Sequence, residues 1–152
     1  MSTTSFAPRI NHVAISDADV LNDEGRAALL DFYSEVFGWS EGDNSTEKGN
    51  RLILATGAWR QFIYLLPAKG EFMVTPDMDH FGMEVSSKEE LMEILERVRK
   101  GVPMQGRRVR ITDVGTMVTH HNNGEHTLTN VYIEFLIPLW IELQHIERRS
   151  ED

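Results

Sequence analysis

The chain has 152 residues, and its 24 acidic and 15 basic side chains give a formal net charge of −9. This length is typical of a single domain, and so acidic a surface disfavours contact with the phosphate backbone of nucleic acids, so no nucleic-acid partner is expected. Cysteine is absent, which excludes disulfides, thiolate ligands and a cysteine nucleophile.

No segment is predicted to enter a membrane. The longest strongly apolar run, residues 135–141, is far shorter than the roughly twenty residues that span a bilayer. Residues 1–5 have neither the basic nor the apolar region of a secretion signal. We therefore expect a cytoplasmic protein without a membrane partner.

The first half of the chain shows the pattern of a strand, a helix and further strands. Residues 10–15 alternate between apolar and polar side chains, as a half-buried strand does, and they include His12. Over 22–37 the apolar side chains recur at the i, i+3, i+4 spacing of an amphipathic helix. Two more strands are predicted at 51–56 and 61–66, after a polar loop that contains or borders a weak edge strand.

The predicted first helix has clear end signals. Asn22 or Asp23 can cap its start, and Gly38 can end it. Its buried stripe is expected to consist of Ala28, Leu29, Phe32, Tyr33, Val36 and Phe37.

Residues 67–79, which include Gly70 and Pro76, have the composition of a linker. A second series follows, beginning with a strand over 79–85 that contains His80. Ser87 and Glu90 then form a capping box for a second helix, whose buried stripe is Leu91, Ile94, Leu95 and Val98.

Three strands are predicted after the second helix, at 109–120, 127–137 and 139–146. The first two are joined by the turn Asn122-Asn123-Gly124. The order β-α-β-β-β therefore occurs twice, which predicts an α+β fold for one domain, 1–152. Module one covers about 9–68 and module two about 77–147.

Side-chain parity singles out His12, His80 and Glu142, because successive residues on a strand point to opposite faces. Each of the three lies opposite the apolar residues of its strand, which are Val13 and Ile15, Phe81, Met83 and Val85, and Leu139, Ile141 and Leu143. Two imidazoles and one carboxylate are the donor set of an open divalent-metal site. A single histidine is more often structural, but two at matching repeat positions with a glutamate favour a metal site.

This arrangement resembles the vicinal oxygen chelate superfamily, which includes glyoxalase I, extradiol ring-cleaving dioxygenases, methylmalonyl-CoA epimerase and metal-free bleomycin-resistance proteins. The resemblance covers about residues 9–147 and depends on the motifs at 11–15, 32–39, 79–85 and 140–143. It implies that the two βαβββ modules form a cupped mixed sheet.

The resemblance also implies that His12, His80 and Glu142 converge in the cup as metal ligands. This set is similar to the facial triad of the extradiol dioxygenases, which favours iron(II) or manganese(II), whereas zinc(II) or nickel(II) would fit glyoxalase-type chemistry. In glyoxalase-like members a fourth ligand comes from the last strand of the first module. That place falls near Tyr64, with Gln61 close by.

His126, Tyr132 and Glu142 are similar in order to the histidine, tyrosine and glutamate near the end of extradiol dioxygenases. The interval from His126 to Tyr132 is slightly shorter than in that signature, and the turn after the tyrosine differs. The resemblance implies catalytic roles for His126 and Tyr132, with Tyr132 as an acid or hydrogen-bond donor. Of the other histidines, His120 and His121 are expected to be solvated and His145 structural.

Three functions stay open. The favoured one is extradiol-dioxygenase-like oxidation of a small vicinal diol or enediol. A glyoxalase- or epimerase-type lyase or isomerase is the second, and a metal-free small-molecule binding protein is the third. Arg51 and Arg60 could hold an anionic substrate or form surface salt bridges. Family resemblance and an apolar strand edge that needs covering imply a homodimer.

Overall fold

The computed structural model describes residues 9–17, 22–43, 45, 51–68, 73–100, 107–121 and 124–149. Within these ranges the elements follow the predicted α+β order, with two helices and nine strands. They are β1 (His12–Asp17), α1 (Asp23–Phe37), β2 (Ser40–Glu41), β3 (Leu52–Ala55), β4 (Phe62–Pro67), β5 (His80–Glu84), α2 (Lys88–Lys100), β6 (Arg110–Ile111), β7 (Gly115–His121), β8 (Gly124–Glu134) and β9 (Trp140–Arg149).

Each half of the chain forms its own mixed sheet. The first sheet has the strand order β1-β4-β3-β2, and the second has the order β5-β9-β8-β6, with β7 also paired to β8. In both, the first strand of the half runs parallel to the last one, β1 beside β4 and β5 beside β9, and the other pairs are antiparallel. The repeated βαβββ unit that the sequence predicts is therefore present.

Helix α1 begins and ends where its sequence signals predict. The side chain of Asn22 accepts a hydrogen bond of 2.7 Å from the backbone N–H of Gly25, which satisfies one of the unpaired donors of the first turn. Gly38 follows the helix with φ 69°, and its N–H donates to the carbonyl of Ser34. All six residues of the predicted stripe are buried except Phe37, which is half-buried.

Helix α2 carries the predicted capping box in a slightly altered form. The hydroxyl of Ser87 accepts from the N–H of Glu90 at 3.1 Å, while the carboxylate of Glu90 accepts from the N–H of Ser86 at 2.8 Å. The four predicted stripe residues are all buried. The helix therefore packs one apolar face inward.

The two halves share one apolar core. The ring of Phe32 on α1 lies 4.3 Å, centroid to centroid, from the ring of Phe135, which follows β8. The hydroxyl of Tyr33 donates to the carbonyl of Phe135 at 2.8 Å. Residues from both sheets and both helices belong to the same buried cluster.

The predicted single strand over 109–120 is wrong in one respect, because it is broken into β6 and β7. Ile111 pairs with Ile133, but the next pair is Gly115 with Asn130, so three residues oppose two. This is a β-bulge, in which one extra residue interrupts the ladder. The hydroxyl of Thr112 fills part of the break by accepting from the N–H of Tyr132 at 3.1 Å.

Other boundaries also differ from the prediction. Strand β8 ends at Glu134, because the chain turns at Leu136, whose φ is 61°, and Pro138 has no N–H to donate to a ladder. The predicted loop after β2, the linker and the Asn122-Asn123-Gly124 turn lie partly outside the described residues, at 44, 46–50, 69–72, 122 and 123. In the described part of the chain, neither helix is long and apolar enough to span a membrane.

Candidate functional site

The second sheet arranges its polar side chains in rows that cross the strands, because paired residues lie side by side. On β5 and β9, Gly82 pairs with Glu142, and Glu142 in turn pairs with Tyr132 on β8. The neighbouring row contains Gln144 and Asn130. The residues between them on each strand, such as Ile141 and Leu143, are buried in the core, so the predicted parity is confirmed.

Glu142 is the centre of a polar group that we call the Glu142 cluster, formed by His80, Asn130, Tyr132 and Glu142. Only 8% of the surface of Glu142 is exposed to solvent. One carboxylate oxygen, Oε1, accepts from the side-chain amide of Asn130 at 2.6 Å and from the hydroxyl of Tyr132 at 3.0 Å. The other, Oε2, lies 3.4 Å from Nε2 of His80. Three side chains from two neighbouring strands, β5 and β8, therefore fix one carboxylate of β9.

Gly82 leaves room beside this carboxylate. A Cβ atom at Gly82 would lie 3.1 Å from Nε2 of Gln144 and 3.6 Å from Oε2 of Glu142. Sequence reasoning missed both Gly82 and Asn130. Asn130 could have been found by its parity, since it lies two residues before Tyr132 on the same strand.

The hydrogen bond on the far side of the His80 ring determines which nitrogen faces Glu142 with a lone pair. Nδ1 of His80 lies 2.7 Å from the carbonyl oxygen of Met78. Because a carbonyl only accepts, Nδ1 carries the proton in the neutral ring and Nε2 presents its lone pair. A histidine held in this way has the tautomer that a metal ligand needs.

His12 lies on the other sheet and does not join the Glu142 cluster. Its ring stacks on Phe62 at 4.9 Å between centroids, with an interplanar angle of 3°. Its Nδ1 lies 2.8 Å from Oδ1 of Asn11, so Nε2 again has the lone pair. In the ranges that the structure describes, no group of three or more histidine, aspartate or glutamate side chains is close enough to hold one ion.

A cavity of about 350 Å³ lies between β1 and β5. His12 and Phe62 line it from the first sheet, and Gly82 and Met83 line it from the second. The cavity therefore reaches from His12 to the strand that carries His80.

Tyr64 lies near the place that the resemblance predicted for a fourth ligand. His12 pairs with Phe62 in the first sheet, and His80 pairs with Trp140 in the second. Tyr64 and Glu142 each lie two residues beyond these partners. Tyr64 is therefore the register equivalent of Glu142. The hydroxyl of Tyr64 accepts from Nη1 of Arg51 at 2.7 Å. Gln61 is exposed and precedes β4, outside this register.

His126 shares a strand with Tyr132 but not its surroundings. It pairs with Thr119 and Arg148 near the far end of the sheet. The two residues are six positions apart, which is about 20 Å along a strand. The structure thus brings Tyr132 to Glu142 and does not bring His126 there, and the catalytic role of His126 stays a prediction.

Burial, followed by the hydrogen bond to Glu142 and the negative charge of that carboxylate, raises the pKa of the Tyr132 phenol above its ordinary value of 10.0. The amide of Asn130 has a smaller opposing effect. Tyr132 is therefore protonated at neutral pH. In that state it is a hydrogen-bond donor and a proton source, not a base.

The remaining polar candidates lie apart from the cluster. His145 contacts the carbonyl of Val85 at 3.3 Å, as a structural residue would, and His120 is exposed, with Nδ1 3.9 Å from Glu125. Arg60 lies over the exposed ring of Trp59 at 5.2 Å. The side chain of His121 is outside the described part of the chain.

The His80 and Glu142 pair fits two ligands of one divalent ion. Two donors that each lie about 2.1 Å from an ion are roughly 3.0 to 3.4 Å apart at octahedral or tetrahedral angles. The observed separation of 3.4 Å between Nε2 and Oε2 is at the upper end of that range. The lone pair on Nε2 and the carboxylate charge are both suited to a cation.

Solved structures share this architecture over nearly their whole length. A "possible glyoxalase" from Bacillus cereus is 19% identical, with 90% of this chain and 98% of that chain covered and a TM-score of 0.57. A lactoylglutathione lyase from Agrobacterium tumefaciens is also 19% identical, with 91% of this chain and 94% of that chain covered and a TM-score of 0.54. The fosfomycin resistance protein FosX from Listeria monocytogenes is 16% identical, with 92% of each chain covered and a TM-score of 0.57.

No protein-family model matches the sequence, and no curated protein matches it either. At the identities of the solved structures, the likeness establishes the fold. The chain therefore has the vicinal oxygen chelate fold, as its motifs predicted.

Proposed function

We propose that this chain is a divalent-metal-dependent enzyme that oxidises a small vicinal diol or enediol, as the extradiol dioxygenases do. The observation that carries the proposal is the pair formed by Nε2 of His80 and Oε2 of Glu142, 3.4 Å apart. In the neutral ring with its proton on Nδ1, a lone pair and a carboxylate oxygen face each other in a partly buried place, and a cation between them would be bound by both.

His80 and Glu142 would hold the metal, with His12 as the third ligand. An iron(II) or manganese(II) ion held by these residues would supply Lewis-acid and redox chemistry towards a vicinal diol or enediol. For His12 to join, its ring would have to move across the cavity between β1 and β5. The Nδ1 contact with Asn11 supports this role, because it leaves Nε2 unprotonated.

The chain's own residues would orient the ligands and move a proton. Asn130 donates to Oε1 of Glu142 and so leaves Oε2 to face His80. Tyr132 holds a proton at its hydroxyl, 3.0 Å from the same carboxylate, and could pass it to an oxygen of the substrate. The apolar lining of the neighbouring cavity, including Phe62 and Met83, would exclude water.

Tyr64 favours an oxygenase over a lyase. A phenol at the register equivalent of Glu142 supports a three-ligand site, and this donor set is typical of iron(II) oxygenases. The second candidate is a glyoxalase-type lyase or isomerase. It is favoured by the likeness to solved structures described as glyoxalase and lactoylglutathione lyase.

Metal content tests the proposal directly. Protein prepared without added metal would be loaded separately with iron(II), manganese(II), zinc(II) and nickel(II), and binding measured by calorimetry and elemental analysis. We expect about one ion per chain, lost in His80→Ala and in Glu142→Ala. His120→Ala is the matched control, because that exposed histidine lies outside the cluster, and it should bind normally.

The outcomes separate the alternatives. Tight binding of iron(II) or manganese(II), with oxygen uptake on catechol-like diols, would support the oxygenase. A preference for zinc(II) or nickel(II), with conversion of substrate under argon, would support the lyase or isomerase. Failure to bind any of the four ions would contradict a metal enzyme and leave a metal-free binding protein.

We also propose that the protein is a homodimer. Strand β7 pairs with β8 on one side, so among the described strands its other edge has no partner. An unpaired edge tends to be covered by another chain or element. Sedimentation equilibrium at several concentrations should give twice the chain mass, and a monomer throughout would contradict this expectation.

A further inference from the structure

The chain turns sharply just before His80. The N–H of Asp79 donates to the carbonyl of Pro76 at 3.1 Å, which closes a turn over 76–79. Met78 in this turn has φ 77°, a left-handed conformation that residues other than glycine rarely adopt. In this arrangement the carbonyl of Met78 lies 2.7 Å from Nδ1 of His80. The turn thus places a hydrogen-bond acceptor at Nδ1 of the ring.

One arginine joins this turn to the sheet. Nη2 of Arg110 lies 3.3 Å from Oδ1 of Asp77, and Nη1 lies 2.6 Å from Oε2 of Glu134 on β8. The guanidinium also lies over the ring of Trp140 on β9, 4.4 Å from its centroid. Trp140 is the register partner of His80, and the backbone N–H of Trp140 donates to the backbone carbonyl of Asp79 at 3.2 Å.

The same turn is held at its start by a second contact. The hydroxyl of Thr75 donates to the carbonyl of Pro138 at 2.5 Å. This contact holds the backbone at 75, whereas Arg110 acts on Asp77, the residue next to Met78. Loss of Arg110 would therefore loosen the part of the turn that presents the carbonyl.

We propose that Arg110 is a positioning residue for His80. By binding Asp77 and Glu134 together, it holds the 76–79 turn so that the Met78 carbonyl accepts a hydrogen bond from Nδ1–H of His80 and Nε2 faces Glu142. The bidentate fork of a guanidinium suits this task, because it can reach two carboxylates in fixed directions. The benefit for metal binding rests on the function proposed above, but the tautomer of His80 does not.

Nitrogen-15 NMR of the histidine rings tests this in metal-free protein at about pH 8.5, with His80→Gln used to assign the signal. The wild type should show a protonated Nδ1 and an unprotonated Nε2. In Arg110→Gln we expect a mixture of tautomers and about tenfold weaker binding of zinc(II), the size of effect that outer hydrogen-bond partners have on metal sites. Arg110→Lys should be intermediate, because an ammonium keeps the positive charge but lacks the fixed fork of a guanidinium.

Asp77→Ala tests the same link from the exposed turn, where a folding failure is less of a concern, and it should reproduce Arg110→Gln. Arg97→Gln, on the exposed face of α2, is the control and should leave both readouts unchanged. A wild-type ring protonated on Nε2, or an unchanged tautomer in both Arg110→Gln and Asp77→Ala, would overturn the proposal. If the tautomer shifts as expected but the wild type binds no metal, the positioning role stands and the metal function fails.

Discussion

Tyr33 is a phenol buried in the shared core, where it donates to the carbonyl of Phe135. Burial, with smaller effects from the charges of Asp17 and Glu134, raises its pKa well above 10.0. The folded state therefore holds this proton more tightly than the unfolded chain. The stability that results is fully present below about pH 10 and is lost as the pH rises towards the folded-state pKa.

Tyr33→Phe is expected to lower the free energy of unfolding at pH 7 by about 1 to 2 kcal/mol, because the carbonyl of Phe135 loses its donor. The loss of stability above about pH 10 should also become less steep, since the variant has no buried phenol to ionise. Urea unfolding at a series of pH values measures both effects. Tyr64→Phe is the control and should keep the steep alkaline loss.

Tyr132→Phe tests the proposed chemistry rather than the stability of the fold. We expect normal metal content, because Asn130 and His80 still contact Glu142, but turnover slower by about a hundredfold, within the range for loss of a general acid. Steady-state kinetics on an identified substrate, with metal content measured on the same sample, checks this. Unchanged turnover would remove the catalytic role of Tyr132.

At the scale of the element, the end of α1 depends on a left-handed residue. A Cβ atom added at Gly38 would meet no heavy atom within 4 Å, so the cost of a substitution there is conformational. Gly38→Ala should lower stability by about 1 kcal/mol, and Gly38→Asn by less, since asparagine tolerates this conformation better. Chemical denaturation of both variants would show the order, and equal losses would point to a packing defect instead.

The strands show why element boundaries are harder to predict than element types. The alternation over 109–120 correctly indicated extended chain, but the bulge between β6 and β7 depends on how β8 pairs with it. No local periodicity encodes that register. In the same way, the sequence predicted a strand over 127–137, whereas the turn at 135–139 ends it earlier.

For the whole molecule, the contact between Phe32 and Phe135 joins the two halves, and Phe135 is almost completely buried. We propose that both halves unfold together as one domain. Phe135→Ala should then cost about 3 to 5 kcal/mol and leave one cooperative transition at lower denaturant concentration. Coincident tryptophan fluorescence and far-ultraviolet circular dichroism curves would support this, and two separate transitions would contradict it. Met92→Ala, at an exposed position on α2, is the control.

Local patterns in the sequence were sufficient for the α+β class, both helices with their caps, the repeated βαβββ order, and the opposed faces of His12, His80 and Glu142. These features follow from periodicity and capping, which act over a few residues. The pairing of His80 with Glu142 could also be anticipated, because the resemblance to a known superfamily placed both in one cup.

Only the tertiary structure revealed the separation of His12 from that pair, the parts played by Asn130 and Gly82, and the link from Arg110 to the turn before His80. Each of these depends on strand register or on the gap between two sheets, and so on residues far apart in the chain. Contacts of this kind are decided by the packing of the whole core, for which a short window of sequence carries no signal.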